Sequence, residues 1–150
     1  MAAGDVYVFN EFALDCGKAV HDLTADTLRL GIVDNTITPA VDDTSPTWGD
    51  YSANEVSGTN YTAGGMTLSG VTWTLVGGVP TLDFTNVTIS YSASGFNDGY
   101  WGILYNDDAA SDQAILAVDL GGPVGNDVED LLINVHATAM LQMPRAASVS

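Results

Sequence analysis

Apolar and polar residues alternate with a period of two along much of the chain. Val71, Trp73 and Leu75 alternate with Thr72 and Thr74, and Leu82 and Phe84 alternate with Asp83 and Thr85. Successive side chains of a strand point to opposite faces, so this pattern predicts strands with one buried face. The alternation slips by one residue at Asn86 and resumes with Val87, Ile89 and Tyr91, which is how a β-bulge inside one run reads in sequence. Four more segments are rich in β-branched and aromatic residues and predict strands: 27–34 (TLRLGIVD), 100–106 (YWGILYN), 114–121 (AILAVDLG) and 131–136 (LLINVH).

Helical spacing is rare. Phe12, Cys16, Ala19, Val20 and Leu23 predict one short helix within 12–23, although Gly17 sits in its middle at a cost of about 1 kcal/mol relative to alanine. Residues 127–133 (DVEDLLI) predict a turn capped at Asn126 that leads into an extended segment. Two polar connections stand out, 34–60 and 121–127. The first is longer than loops usually run in a compact domain, which predicts that it is functional or braced by a partner.

A chain of 150 residues fits one domain able to bury a core of its own. The expected fold is therefore mainly β: a single-domain sandwich or distorted barrel with one short helix near the N-terminus. The expected organisation is an N-terminal arm at 1–11, a β-rich core at 12–136 and a C-terminal tail at 137–150. Both ends, VYVFNEF and ATAMLQMPRAASVS, are apolar-rich. Frayed termini are the plain reading; the sharper one is a pair of arms that add to a neighbouring subunit.

Charge narrows the partners. Nineteen acidic residues stand against Lys18, Arg29 and Arg145, for a net charge of −16. Binding of nucleic acid draws on Lys/Arg neutralisation of phosphates, which three basic residues cannot supply, and anionic membranes are disfavoured for the same reason. A basic or mixed protein surface is the better counterpart. The single Cys16 excludes an intrachain disulfide. No apolar run approaches the ~20 residues of a spanning helix. The start, MAAGDVYVFNEF, lacks a basic stretch followed by an apolar one, so the chain is expected to be made in, and to stay soluble in, a cytoplasm.

Candidate chemistry is thin. GxSxG, GxxxxGK[ST] and HExxH are absent, and no GxGxxG falls between a strand and a helix. His21 beside Asp22 suggests an oriented base, but neighbouring side chains on a helix do not face each other, and a capping role for Asp22 or Thr24 is the simpler reading. His136 ends a strand run and reads as a packed or surface histidine. The acidic stretch YNDDAASDQ (105–113) fails the calcium-loop template, because Ala110 occupies a ligand position and Gln113 stands where glycine is required. Its flanking apolar runs make it a hairpin tip, where Asn and Asp favour turns. Asp34, Asn35, Asp42 and Asp43 could offer hard oxygen ligands to Ca²⁺, with ordinary surface turns as the alternative; no metal or cofactor is expected. Trp73 reads as core. Trp48, within SPTWGDY, reads as a loop aromatic able to serve as a sugar platform or an interface anchor.

Three stretches carry a wider pattern: VHDLTADTLRLGIVDN (20–35), GTNYTAGGMTL (58–68) and WGILYNDDAASDQAILAVDLG (101–121). Together they resemble a group of small structural proteins of tailed bacteriophages, of the head decoration (cement) type. A His-Asp-Leu turn leads into a strand ending in Asp-Asn, a Tyr-Thr-Ala-Gly-Gly turn follows, and a hairpin forms around Tyr-Asn-Asp. Asn60 stands where a glycine often precedes the tyrosine. The 1–11 arm and residues 36–57 lie outside the resemblance. It implies a non-enzymatic protein on the capsid surface of a virion, assembled in the host cytoplasm. Such a protein binds the major capsid protein and itself, with a homotrimer favoured by lattice three-folds. A tail or other virion component and a carbohydrate-binding module are the alternatives. The residues expected at the partner interface are Val6, Tyr7 and Phe9 of the arm, with Trp48 and Tyr51 of the long loop.

Overall fold

A computed structural model describes residues 4–134 and the backbone of 141–142. In chain order the elements are β1 (Val6–Val8), α1 (Glu11–Gly17), β2 (Leu28–Val33) and α2 (Trp48–Tyr51), followed by a 3-10 turn (Ser52–Asn54). The remainder is β3 (Met66–Thr67), β4 (Thr72–Val76), β5 (Val79–Asp83), β6 (Val87–Ile89), β7 (Gly99–Asn106), β8 (Ala114–Val124), β9 (Leu131–Ile133) and β10 (Leu141–Gln142). His136 and most of the 137–150 tail lie outside the described residues.

The fold is mainly β. A five-stranded antiparallel sheet, ordered β1-β8-β7-β2-β3, forms its centre, with a three-stranded sheet β10-β5-β4 and a two-stranded pair β6-β9 beside it. None of these sheets closes into a barrel, so the sandwich-like alternative is the one observed.

Both faces of the five-stranded sheet are covered, which is why its central strands read as nearly unbroken apolar runs. On one face, Leu28, Leu30 and Ile32 of β2, Leu104 of β7 and Leu116 of β8 meet Leu82, Val87, Ile89 and Ile133 from the smaller sheets. On the other face, Trp101, Ile103 and Tyr105 of β7 and Ala117 of β8 pack with Phe9, Trp48 and Tyr51.

Several expectations are corrected. The helix ends at Gly17, and Ala19 takes a left-handed φ of 57°, so 18–23 leaves the helical path instead of completing it. A second, one-turn helix, α2, forms inside the long connection, giving two short helices. The phase slip at Asn86 is no bulge within one strand: β5 ends at Asp83, and β6 begins at Val87 in a different sheet. The slip records the chain crossing between sheets. A true bulge lies on β8, where Leu104 pairs with Leu116 and Tyr105 with Ala114, leaving Ile115 as the extra residue.

The N-terminal segment is built into the molecule's own sheet. Val6, Tyr7 and Val8 pair with Val118, Ala117 and Leu116 of β8, and the Phe9 amide donates to the Ile115 carbonyl at 3.1 Å. The backbone of 141–142 pairs likewise with β5 of the same chain.

Candidate docking surface

The acidic hairpin tip is organised by one buried side chain. Asn106, wholly buried at the end of β7, accepts through Oδ1 from the amides of Asp108 (3.0 Å) and Ala109 (3.2 Å). Its Nδ2 donates to Asp26 Oδ2 at 2.6 Å and faces His21 Nδ1 at 3.1 Å. Two backbone donors fix which end of the amide is oxygen, so Nδ1 of His21 is the acceptor and the ring proton sits on Nε2. Among the described residues that N–H is buried without a hydrogen-bond partner; the Asp15 carboxylate oxygen is 3.9 Å away. Burial first, against the opposing pull of Asp15 and Asp26, lowers the His21 pKa and keeps the ring neutral. Asp22 is turned away, accepting from the Thr24 amide and hydroxyl, so no His21–Asp22 couple forms.

The aspartates around this tip are committed to the fold. Asp108 accepts from the Thr27 amide at 2.6 Å, and Asp107 pairs with Arg29 Nε at 2.9 Å. In the long connection, Asp34 accepts from the Thr36 amide, and Asp43 accepts from the Ala40 amide and the Tyr51 hydroxyl. Among the described residues, no group of three or more His, Cys, Asp or Glu side chains is placed to hold a metal ion.

The long connection is braced by its own chain. Thr47 and Asp50 form a capping box that starts α2, and Thr47 bridges to Gln113 beside the acidic tip. The Trp48 ring stacks on Tyr105 with centroids 5.1 Å apart and planes within 4°. Its six-membered ring also lies against Gly31, where a Cβ would collide with the indole. Tyr51 stacks on Phe9 at 6.1 Å. The phenols of Tyr51 and Tyr61 are pushed above the ordinary tyrosine value, by burial first and by the carboxylates of Asp43 and Glu55 to which they donate.

Three of the five expected interface residues are therefore interior. Phe9 is 1% exposed, Tyr51 2% and Trp48 8%, because the fold spends their rings on its own second core. The sugar-platform reading of Trp48 loses its basis in the same contacts. Tyr7 is half-buried against Trp101. Val6 remains accessible and borders an apolar cleft of about 260 Å³ with Val118, Leu120, Leu131 and Ile133.

Among the described residues, the one pair of large exposed apolar residues adjacent in sequence lies elsewhere, while others, such as Leu14, Val128 and Leu132, stand singly. Leu75 is 71% exposed and Val76 56%, both at the end of the β4–β5 hairpin. Gly77 and Gly78 close this hairpin with φ of 59° and 79°, the doubly positive geometry of a tight two-residue turn. Charge is segregated along the sequence: no Asp, Glu, Lys, Arg or His occurs from Val56 to Leu82, and Asp83 is the only one before Asp98. The end of the hairpin is thus apolar and uncharged in a strongly acidic chain, with Asp83 at its base. Sequence reasoning assigned Leu75 to the core on alternation alone. The uninterrupted lack of charge around it was the available signal that this strand runs beyond the core.

No family model, curated protein or solved structure matches the chain. Among the described residues, no helix is long and apolar enough to cross a membrane. What the geometry defines is a class: a mainly-β protein in which, among the described residues, the end of the β4–β5 hairpin exposes Leu75 and Val76.

Proposed function

We propose that the protein is a non-enzymatic head decoration (cement) protein of a tailed bacteriophage, resident on the capsid surface and binding the major capsid protein lattice. The observation that carries this reading is the end of the β4–β5 hairpin, where Leu75 and Val76 are presented to solvent and the one charge, Asp83, sits at the hairpin's base, in a chain of net charge −16. Isolated exposed apolar residues are ordinary, but two adjacent ones at a hairpin end, within a stretch that carries no charge from Val56 to Leu82, suit insertion into a protein surface. The acidic remainder of the molecule suits approach to a lattice that presents basic groups.

Stabilising a shell requires contact area and anchoring side chains, with no bond made or broken. His21, the histidine the sequence offered as a base, is engaged through Nδ1 with Asn106 and carries its proton on a buried nitrogen, which suits a structural role. Self-association on the lattice is part of the proposal.

The reading is tested by mixing the purified protein with undecorated heads of the phage that encodes it and imaging the particles. Ordered density at regular lattice positions is expected. Bare shells at saturating protein would overturn it.

A further inference from the structure

We infer that two copies of this chain associate edge to edge through β4, on a two-fold axis at Thr74. This inference stands on the strand's own geometry and does not depend on the function proposed above.

β4 is the outer strand of its sheet, in the order β10-β5-β4, and among the described residues no strand pairs with its free side. An open edge is a row of unpaired donors and acceptors, and proteins usually guard it with lysine, proline, a bulge or shortness. β4 has none of these guards. It runs Thr-Trp-Thr-Leu-Val, is five residues long, carries no charge and pairs with β5 without a register shift. The far side of the hairpin makes the contrast. Pro80, opposite Leu75, has no N–H to offer on the outer side of β5, and β10 covers Leu82 and Thr81. The other open edges of the central sheet are short: β1 has three residues, next to Asp5, and β3 has two.

The register specifies the partner. In a two-residue hairpin the residues flanking the turn, Val76 and Val79, form a hydrogen-bonded pair, and bonding then alternates along the ladder. The backbone groups of Thr74 and Val76 therefore face β5, and those of Trp73 and Leu75 face outward. An antiparallel second β4 centred on Thr74 sets Trp73 against Leu75 of the other copy, and Leu75 against Trp73. Every outward N–H then meets an outward C=O. The side chains agree: Leu75, 71% exposed in one copy, lands beside the half-buried Trp73 of the other. Trp73 also borders a cleft of about 570 Å³ lined by Cys16, Ala19, His21, Asp22, Leu23 and Thr24, so its surroundings leave room for that side chain. Aromatic–aliphatic cross-strand pairs of this kind are stabilising.

Charge favours this edge over other places where two copies could meet. Two molecules of net charge −16 repel across most of their surfaces, and the neutral stretch from Val56 to Leu82 is where they can touch at low electrostatic cost. Five residues per copy bury no more than about 1,000 Å², so the dimer is one that dissociates on dilution.

The test is the mass in solution, by light scattering across a dilution series, of the wild type, Thr74→Lys and Thr74→Asp. Thr74 has an exposed side chain and faces its own symmetry mate in this register, so either charge opposes itself across the axis. The wild type is expected to approach twice the 15.6 kDa chain mass when concentrated. Each variant is expected to stay at the single-chain mass with unchanged thermal unfolding. An equimolar mixture of the two variants restores the doubled mass. Wild type at single-chain mass at its highest soluble concentration would overturn the inference. So would a three-chain mass, a dimeric Thr74→Lys, or a mixture that fails to pair.

Discussion

Two buried asparagines, Asn106 and Asn126, each tie several segments of this fold together. Asn126 accepts from the Phe96 amide at 3.0 Å and donates to the carbonyls of Thr59 (2.9 Å) and Ser90 (2.8 Å), joining three loops. Removing one partner of a buried hydrogen bond costs about 1–3 kcal/mol, because the group left behind stays desolvated. Asn126→Ala is expected to lower unfolding free energy by about 3 kcal/mol in urea titrations. Asn106→Ala should cost a similar amount, whereas Asp107→Ala, which breaks only a partly exposed pair with Arg29, should cost under about 1 kcal/mol. The sequence drew attention to the acids of YNDDAASDQ and placed the turn correctly between two strands. It gave no sign that the neutral Asn106 at its edge organises the tip, because burial of a polar residue depends on what packs over it. Its neighbour His21 makes stability depend on pH. The unfolded imidazole titrates at its ordinary value of 6.5 and the folded one lower, so the unfolded state takes up more protons below that pH. The contribution is complete above 6.5 and is lost as pH falls through the folded value. His21→Gln should remove this part of the slope in unfolding curves measured at successive pH values.

At the scale of elements, the pattern of alternation located most strands, and contacts between elements decided the rest. β2, β7 and β8 were legible because the sheet is covered on both sides, so their residues are apolar almost throughout. The sheet change at Asn86 was visible only as a phase slip, and a bulge gives the same signal. The one-turn helix α2 was not legible: its Trp48–Tyr51 segment folds because Trp48 stacks on Tyr105 and fits against Gly31, residues distant in sequence. Gly31→Ala tests that fit. The added methyl meets the indole, and the variant is expected to lose about 2 kcal/mol of stability with a red-shifted tryptophan emission. The N-terminal segment gives a second test. As an arm, residues 1–9 would be removable without unfolding the domain. With Phe9 in the core and β1 paired to β8, their deletion should instead cost more than about 3 kcal/mol, read from the urea midpoint.

At the scale of the whole molecule, the distribution of charge separates two roles. Acidic groups gather before Val56 and after Asn97, while the segment between carries Asp83 alone. The acidic part supplies long-range repulsion between copies, and the uncharged hairpin end supplies contact. Added salt screens the first and leaves the second nearly unchanged, so self-association should strengthen as ionic strength rises. Analytical ultracentrifugation at low and high salt checks that direction. The hairpin's exposure is also where the candidate site departed furthest from the sequence reading. Alternation placed Leu75 inside, and the aromatic loop drew attention to Trp48, yet burial reverses the two.

Occupancy on undecorated phage heads, measured as the ratio of this protein to major capsid protein after sedimentation, tests docking through the uncharged hairpin end most directly. Val76→Asp places a charge on its exposed end and should reduce occupancy at least about tenfold, a loss of about 1.4 kcal/mol in binding. Leu14→Asp, equally accessible on α1 but outside the hairpin, should leave occupancy unchanged. Equal occupancy for wild type and Val76→Asp would contradict the account.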